Sequence, residues 1–502
     1  PWVKAAVVGD CNNDGKIDYQ DGAVALRDLC MKRKTGADTA VSSWNMIAMN
    51  VGSEAQYPFL RILDNIKKIH LATDGFGQNV IIKGYQSEGH DASHPDFANY
   101  NRRAGGLSDL VTLLEESEQY NAKVGVHINH TDVYPEAPQY AKLASGLSAW
   151  SWYDTSMGII RENDCLDTSA NGLDGRLSRL FDTDTAHMLD TVYVDVFFGT
   201  RWPMYKLVRN ISGRGMALGT EYVDEMVSYS VFAHHIGSAF GGAGNLVRFV
   251  NNNQADIFTN HPLFRGADSR ANEQIGIDGW QGAKNLNTAL TAFYTKILPN
   301  KYLANFPVMQ YETDNRAVLG ENGEVITEMT NGVNIITKNG KKIAEGNKMF
   351  IPWDPKTEEK IYHYNPDGGA STWELPDSWK DVTSVKVYRL SDEGRNLAAT
   401  LTVSAGNITI QAEAGTGYVL CKGDAENTAL HAETMDWSTG SPVRDMGFDS
   451  HGFGYWKKDE TASHIVIENN SLGNSHLYIR GTQAGEVSQT ITGLTPGETY
   501  SA

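Results

Sequence analysis

Two carboxylates sit where strand-end chemistry would be expected. Asp195 ends the apolar run Thr191-Val-Tyr-Val-Asp195, and Glu221 ends Gly215-Met-Ala-Leu-Gly-Thr-Glu221. Between them, Arg201–Arg214 is long enough for one loop and one helix. If the two runs are consecutive strands of a (β/α) barrel, both side chains emerge at the C-terminal face, where barrels carry their active sites. Sugar hydrolysis uses such a pair: one carboxylate attacks the anomeric carbon, the other acid protonates the leaving oxygen, and a separation of about 5 Å favours the retaining route. Asp195 suits the nucleophile. Glu221 suits the acid/base, because burial and a neighbouring carboxylate raise a carboxyl pKa. The plainer alternative is that each carboxylate caps a loop or pairs with a cation such as Arg201.

Around this pair the sequence offers groups that bind sugar hydroxyls. Asp74-Gly-Phe-Gly-Gln78 and Gly84-Tyr-Gln-Ser-Glu88-Gly-His90-Asp91 each follow an expected strand, which would bring Asp74, His90 and Asp91 to the same mouth, with Lys83 at the end of the strand Val80–Lys83. His127, Asn129 and His130 end another. Trp150 and Trp152 form an aromatic patch whose flat rings could stack on sugar faces, or could simply belong to the core. His234-His235 raises the question of zinc, but no third ligand stands at a recognisable spacing, so neither a catalytic metal nor an organic cofactor is expected.

A different signal lies near the N-terminus. Asp10, Asn12, Asp14, Lys16 and Asp21 occupy positions 1, 3, 5, 7 and 12 of an EF-hand-type loop, with Gly15 at the sharp turn. Lys16 would contribute only its backbone carbonyl. Position 12 carries Asp in place of the usual Glu, one methylene shorter. The loop reads as a structural calcium clip, and an Asx-rich turn without metal is the alternative.

These side chains need a scaffold. From Trp2 to about Asn300 short apolar runs alternate with helical patterns, which predicts an α/β (β/α)8-type barrel over residues 1–300. The expected strands are Lys68–Thr73, Val80–Lys83, Lys123–Asn129, Thr191–Phe198 and Gly215–Tyr222. The expected helices include Gly22–Met31, Leu107–Tyr120 with Ser108 as its cap, and Met204–Ile211. Beyond Pro299, alternating residues punctuated by Asn-Gly and Asp-Gly predict an all-β sandwich domain over 301–422. Residues 423–502 read as part of another β module, one that resembles a galactose-binding-like β-sandwich.

The bulk composition mostly excludes. A net charge of −18, without a basic stripe, argues against a nucleic-acid partner. No apolar run reaches the roughly 18 residues that span a bilayer. Cys11, Cys30, Cys165 and Cys421 are scattered, so they indicate neither a zinc site nor a disulfide framework. The chain opens at Pro1 and reads as a piece of a larger protein.

Several phrases, in order, carry a family likeness: Tyr19–Ala25, Lys83-Gly-Tyr with Glu88-Gly-His-Asp91, Tyr134-Pro-Glu136-Ala, Tyr193-Val-Asp195-Val and Gly279-Trp-Gln-Gly282. At these residues the chain resembles the bacterial endo-α-N-acetylgalactosaminidases, glycoside hydrolase family 101. The resemblance implies Asp195 as nucleophile, Glu221 as acid/base, Asp91 as a ligand for sugar hydroxyls, and Trp150 with Trp152 as a lid. It also implies calcium in the Asp10–Asp21 loop and release, with retention, of Galβ1-3GalNAc from Ser/Thr of mucin-type O-glycoproteins. The implied setting is secreted or attached to the bacterial cell surface. Two other readings stay open at this point: a mucin-binding surface protein with an inactive barrel, and a retaining barrel glycosidase acting on another α-glycoside.

Overall fold

The computed structural model describes residues 5–30, 35–50, 57–87, 89, 96–102, 104–129, 132–133, 137, 140–147, 158–160, 179–180, 188–195, 197, 201–222, 226–235, 249–250, 255–256, 261–266, 286–425, 443–445, 448, 452–459, 461–469 and 475–497. A seven-stranded parallel sheet forms the first unit: β1 (Ser43–Met49), β2 (Gly77–Lys83), β3 (Ala122–Asn129), β4 (Thr191–Asp195), β5 (Ala217–Tyr222), β6 (Ser230–His235) and β7 (Ala255–Asp256). The strands pair in chain order, the arrangement that successive β/α units generate when each returns on the same side. Their near-continuous apolar text follows from burial on both faces.

Helices α1 (Tyr19–Cys30), α2 (Ala37–Ser42), α3 (Phe59–Ala72), α4 (Gly106–Ser117) and α5 (Arg201–Gly213) accompany the sheet. Of these, α2 shows that the sheet is rolled. It runs directly into β1, yet its Ala40 is buried with Ala217 at the start of β5 and Val231 in β6. In a flat sheet β1 and β5 would lie about 19 Å apart at four strand spacings. A six-residue helix spans only about 9 Å, so the strands must curl around it. Among the described residues no pairing joins β7 back to β1.

The inward face is layered. At the N-terminal end Asn79 Nδ2 donates to Asn45 Oδ1 at 2.9 Å and Thr191 Oγ1 donates to Asn79 Oδ1 at 3.0 Å. Above them Ile47, Ile81, Tyr193 and Phe232 pack together. Polar side chains then follow at the C-terminal ends.

Three sequence expectations are corrected here. Lys68–Thr73 is not a strand but the end of α3, whose buried Phe59, Ile62, Leu63, Ile66 and Ile69 follow helical spacing. Helix α4 is capped by Gly105, at φ 114°, with no side-chain cap bond, so Ser108 lies inside the first turn. Strands β1 and β6 escaped the sequence reading. Trp44-Asn-Met-Ile-Ala and Val231-Phe-Ala-His-His are runs too short for periodicity to separate strand from helix.

A second unit follows α6 (Leu286–Ala292) and α7 (Leu298–Ala304), the latter running across the boundary expected at residue 300. Buried Lys301 on α7 donates to Ala40 O at 2.6 Å and so ties α2 in place. The unit is a ten-stranded, mainly meandering antiparallel sheet covering Val308–Cys421, with a separate pair, Gly369–Glu374 with Asn407–Ala412. Between the two layers Phe350, Trp373, Trp379, Val385, Ile408 and Leu420 form a core of their own, with Phe350 and Trp373 stacked at 5.3 Å. This is the expected sandwich. Farther on, the described residues include two small antiparallel pairs, Lys457–Lys458 with Val487–Ser488 and Ile465–Asn469 with Ser475–Ile479.

Candidate active site

Strand register decides which side chains share the mouth. Val194 pairs with Thr220, so the next residues, Asp195 and Glu221, end neighbouring strands side by side. Parallel strands lie about 4.8 Å apart, the order of separation a retaining pair needs. On the other side Asn129 pairs with Asp195 and His127 with Tyr193. Asp195 is buried, at 8% exposure, and Glu221 is half-buried.

His127 is fully buried, with Nε2 3.0 Å from Asp195 Oδ2. Burial pushes its pKa below the ordinary imidazole range, Asp195 pulls it back up, and the Lys83 charge lowers it. Lys83, also buried, holds Nζ 5.2 Å above the Tyr193 ring. Tyr193 stacks on His127 at 5.5 Å and 18°. Burial first, then the negative charges of Asp195 and Glu221, push the Tyr193 phenol well above its usual range. Gly219 makes room for that ring: a Cβ there would stand 3.0 Å from Tyr193 Cδ2 and 3.2 Å from Phe232 Cδ1.

Asn129 faces a different task. Its Nδ2 donates to Asp132 Oδ2 at 2.9 Å while Asp132 N donates to its Oδ1 at 3.0 Å, which fixes the loop leaving β3. The structure thus brings Lys83, His127, Asn129, Asp195 and Glu221 to one end of the sheet. His90, Asp91, Trp150 and Trp152 lie outside the described residues.

Asp74 does not join them. Because Lys68–Thr73 is helical, Asp74 lies before β2, at the opposite end of the sheet from the carboxylate pair. It pairs there with Lys360 at 2.8 Å and Arg395 at 3.2 Å from the β-sandwich. Tyr193, by contrast, was missed as a site residue. Counting back two positions from Asp195 along a strand places it on the same face, a signal present in the sequence.

The Asp10–Asp21 loop has the donor types and order of a calcium loop, with Gly15 at φ 82°. Asp10 accepts from the N–H groups of Asp14 and Gly15, and Asp14 from Lys16. Buried Asp21 accepts from Asp18 at 2.8 Å and Cys11 at 2.6 Å, and these bonds, that from Asp18 foremost, hold its pKa below the usual carboxylate range. The donor set suits a hard cation. Among the described residues no three His, Cys, Asp or Glu side chains converge as a metal cluster. Gln310 Nε2 donates to Asn12 O and Tyr311 N to Gln20 Oε1, so the loop is seated on the first sandwich strand.

Two carboxylates at the ends of adjacent strands of a rolled parallel sheet, joined to a β-sandwich, fit a glycoside hydrolase, and the family comparisons place the chain in that class. The chain belongs to the endo-α-N-acetylgalactosaminidase family, glycoside hydrolase family 101. The family model described as endo-alpha-N-acetylgalactosaminidase matches residues 20–290, and that of the glycosyl hydrolase 101 beta sandwich domain matches residues 296–396. A Renibacterium salmoninarum protein named, provisionally, an endo-alpha-N-acetylgalactosaminidase is 33% identical over 519 aligned positions, covering 99% of this chain and 33% of that protein. The chain therefore spans about a third of the length of this curated relative.

Solved structures overlap it only loosely. The alpha-N-acetylgalactosaminidase NagBb from Bifidobacterium bifidum, in complex with GalNAc, superposes with a TM-score of 0.44 at 13% identity, over 66% of this chain and 63% of that one. An alpha-amylase from Geobacillus thermoleovorans reaches 0.38 at 10% identity, over 78% and 99%. Likeness at that level carries no functional argument.

Proposed function

We propose that this chain is the catalytic part of a secreted or cell-surface retaining endo-α-N-acetylgalactosaminidase, releasing Galβ1-3GalNAc from Ser/Thr of mucin-type O-glycoproteins. The observation that carries this reading is the register that sets Asp195 beside Glu221 at the ends of β4 and β5. Asp195 attacks the anomeric carbon of GalNAc while Glu221 protonates the departing Ser/Thr oxygen. Water, deprotonated by Glu221, then attacks the same carbon and releases the disaccharide with its α configuration kept. The eight-stranded closed barrel of this reading extends the sequential strand order, and its substrate-binding set is Lys83, His90, Asp91, His127, Asn129, Trp150 and Trp152. The C-terminal strands fit a carbohydrate-binding module in the same scheme.

Calcium belongs to the proposal as a structural ion. Asp10, Asn12, Asp14, the Lys16 carbonyl and Asp21 would hold it, and it would supply rigidity to the N-terminal loop, with no part in bond breaking.

The experiment is hydrolysis of an aryl α-linked Galβ1-3GalNAc followed by proton NMR at early times. Free disaccharide appearing first as the α anomer supports the reading. A β anomer would mean inversion and a different base. No release, together with tight mucin binding, would make the chain an adhesin.

A further inference from the structure

Helix α5 turns aromatic rings and cations outward on one face. Met204, Leu207, Val208 and Ile211 are buried, so the helix packs by that side. Trp202, Tyr205, Lys206 and Arg209 follow at helical spacing on the other, and all four are exposed, Trp202 at 68%. The rings are ordered: Trp202 and Tyr205 stack at 5.9 Å and 26°, and Tyr229 meets Tyr205 edge-on at 6.4 Å. Arg209 Nη1 donates to the Tyr205 hydroxyl at 3.0 Å and fixes that ring from the next turn. The stretch Arg201–Arg214 holds four basic residues and no acidic one, in a chain whose net charge is −18. Among the described residues neither Lys206 nor Arg209 stands in an ion pair. The strip also begins at the catalytic end. Thr191 of β4 pairs with Ala217 of β5, so α5 runs back along the sheet between them, and its first turn lies at the end that carries Asp195 and Glu221.

From this face we infer that α5 carries a second glycan site, a dock for a carboxylate-bearing sugar on a glycan neighbouring the one being cut. Its occupant rests on the glycoprotein substrate proposed above. The flat faces of Trp202 and Tyr205 take the C–H face of a sugar ring. Arg209 spends one N–H on Tyr205 and keeps others for the carboxylate, the anion a planar guanidinium fits best, while Lys206 adds a point charge. A neutral glycan or a polypeptide would use the rings and leave the two cations idle. The charge of the rest of the chain repels an anionic sugar, so this acid-free strip is where such a ligand gains attraction. A polypeptide bearing many glycans can engage strip and mouth together, and the second anchor raises the effective concentration of the linkage to be cut.

The test measures retention, with no turnover. The whole chain carrying Asp195→Ala is passed over an immobilised sialylated mucin and over the same mucin after its sialic acids are removed. Binding to the sialylated form is expected to be roughly fivefold or more tighter at low salt, and the difference should vanish at about 0.5 M salt. Adding Trp202→Ala or Arg209→Gln, both at exposed positions, should bring the ratio between the two mucins close to one. Hydrolysis of the aryl disaccharide by Trp202→Ala with Asp195 intact should stay within about twofold of wild type, because so small a substrate does not reach the strip. Equal binding to the two mucins, or a preference that survives both substitutions, would overturn the dock. A loss of binding to both mucins alike in Trp202→Ala would assign the strip to the polypeptide instead, and a wild-type dimer that Trp202→Ala dissociates would assign it to a second copy of the chain; either result overturns the inference. A wild-type chain inert on the disaccharide would sink the functional reading, while the mucin comparison would still decide the dock.

Discussion

The carboxylate of Asp74 and the ammonium of Lys360 meet at 2.8 Å across the joint between the parallel-sheet unit and the β-sandwich. Arg395 joins from the sandwich at 3.2 Å, and Tyr362 donates its hydroxyl to Thr73 O at 2.6 Å beside them. Asp74 is 9% exposed in its side chain and its two cations 23% each, so solvent screens this network only in part. Asp74→Asn should cost about 1–3 kcal/mol by leaving two cations without their counter-charge. KM for the aryl disaccharide glycoside should stay within about twofold, since the residue is remote from the mouth. Thermal melting and steady-state kinetics on the same preparation decide the matter. A large KM effect with unchanged melting would return Asp74 to the sugar.

Substitution at the carboxylate pair should separate chemistry from folding. Asp195→Ala and Glu221→Gln are each expected to lose roughly 1,000-fold or more in kcat with melting within a few degrees of wild type. Glu221→Gln should keep more activity on an aryl substrate whose leaving group needs no proton, because only the acid role is then bypassed. An active Asp195→Ala would end its assignment as nucleophile.

Lys301 makes a pH-dependent contribution to stability. Burial lowers its amine from 10.5 to about 7 in the folded chain. Between those values the unfolded chain binds a proton that the folded one does not, so stability should rise with pH across that window. Lys301→Met, of similar length and uncharged, should flatten that part of the profile, although it forfeits the bond to Ala40 O. Melting temperatures at pH 7 and pH 9 for both proteins test the sign; a wild-type slope no steeper than that of the variant would contradict it.

The calcium proposal has a simple readout. Removing the ion with a chelator should lower the melting temperature by several degrees while leaving room-temperature turnover nearly intact, as expected of a ligand that binds only the folded loop. Metal analysis of the purified chain accompanies it. Unchanged melting with no copurifying metal would leave Asp10–Asp21 as an Asx-rich turn.

What the sequence disclosed depended on how local the signal was. The strand-end positions of Asp195 and Glu221 were legible because an apolar strand running into a carboxylate is a contiguous pattern, and the hairpins after Pro299 because Asn-Gly and Asp-Gly turns announce themselves. Asp74 was misread because its place depends on whether Lys68–Thr73 ends a helix. That question is settled by Phe59 and Ile62, a full turn or more upstream. The His127 contact with Asp195 joins two strands, and no spacing within either one encodes it. Tyr193 was within reach of simple alternation and needed only that the strand be trusted. The EF-hand-type spacing of Asp10–Asp21 was fully local, yet its seating on Gln310 and Tyr311 was not.

Helix α2 has a consequence for traffic. With Ala40 wedged against Ala217 and Val231, and with the Asn45, Asn79 and Thr191 layer bonded above it, the N-terminal end of the rolled sheet is stoppered. Among the described residues, the end of the sheet left unfilled by these groups is the one that carries Asp195 and Glu221. For a double displacement approached from that end, the polypeptide would have to withdraw before water could enter by the same side, and the sugar would leave last. Lengthening the loops at that rim can then alter which glycoproteins gain entry while the floor keeps the strands in register.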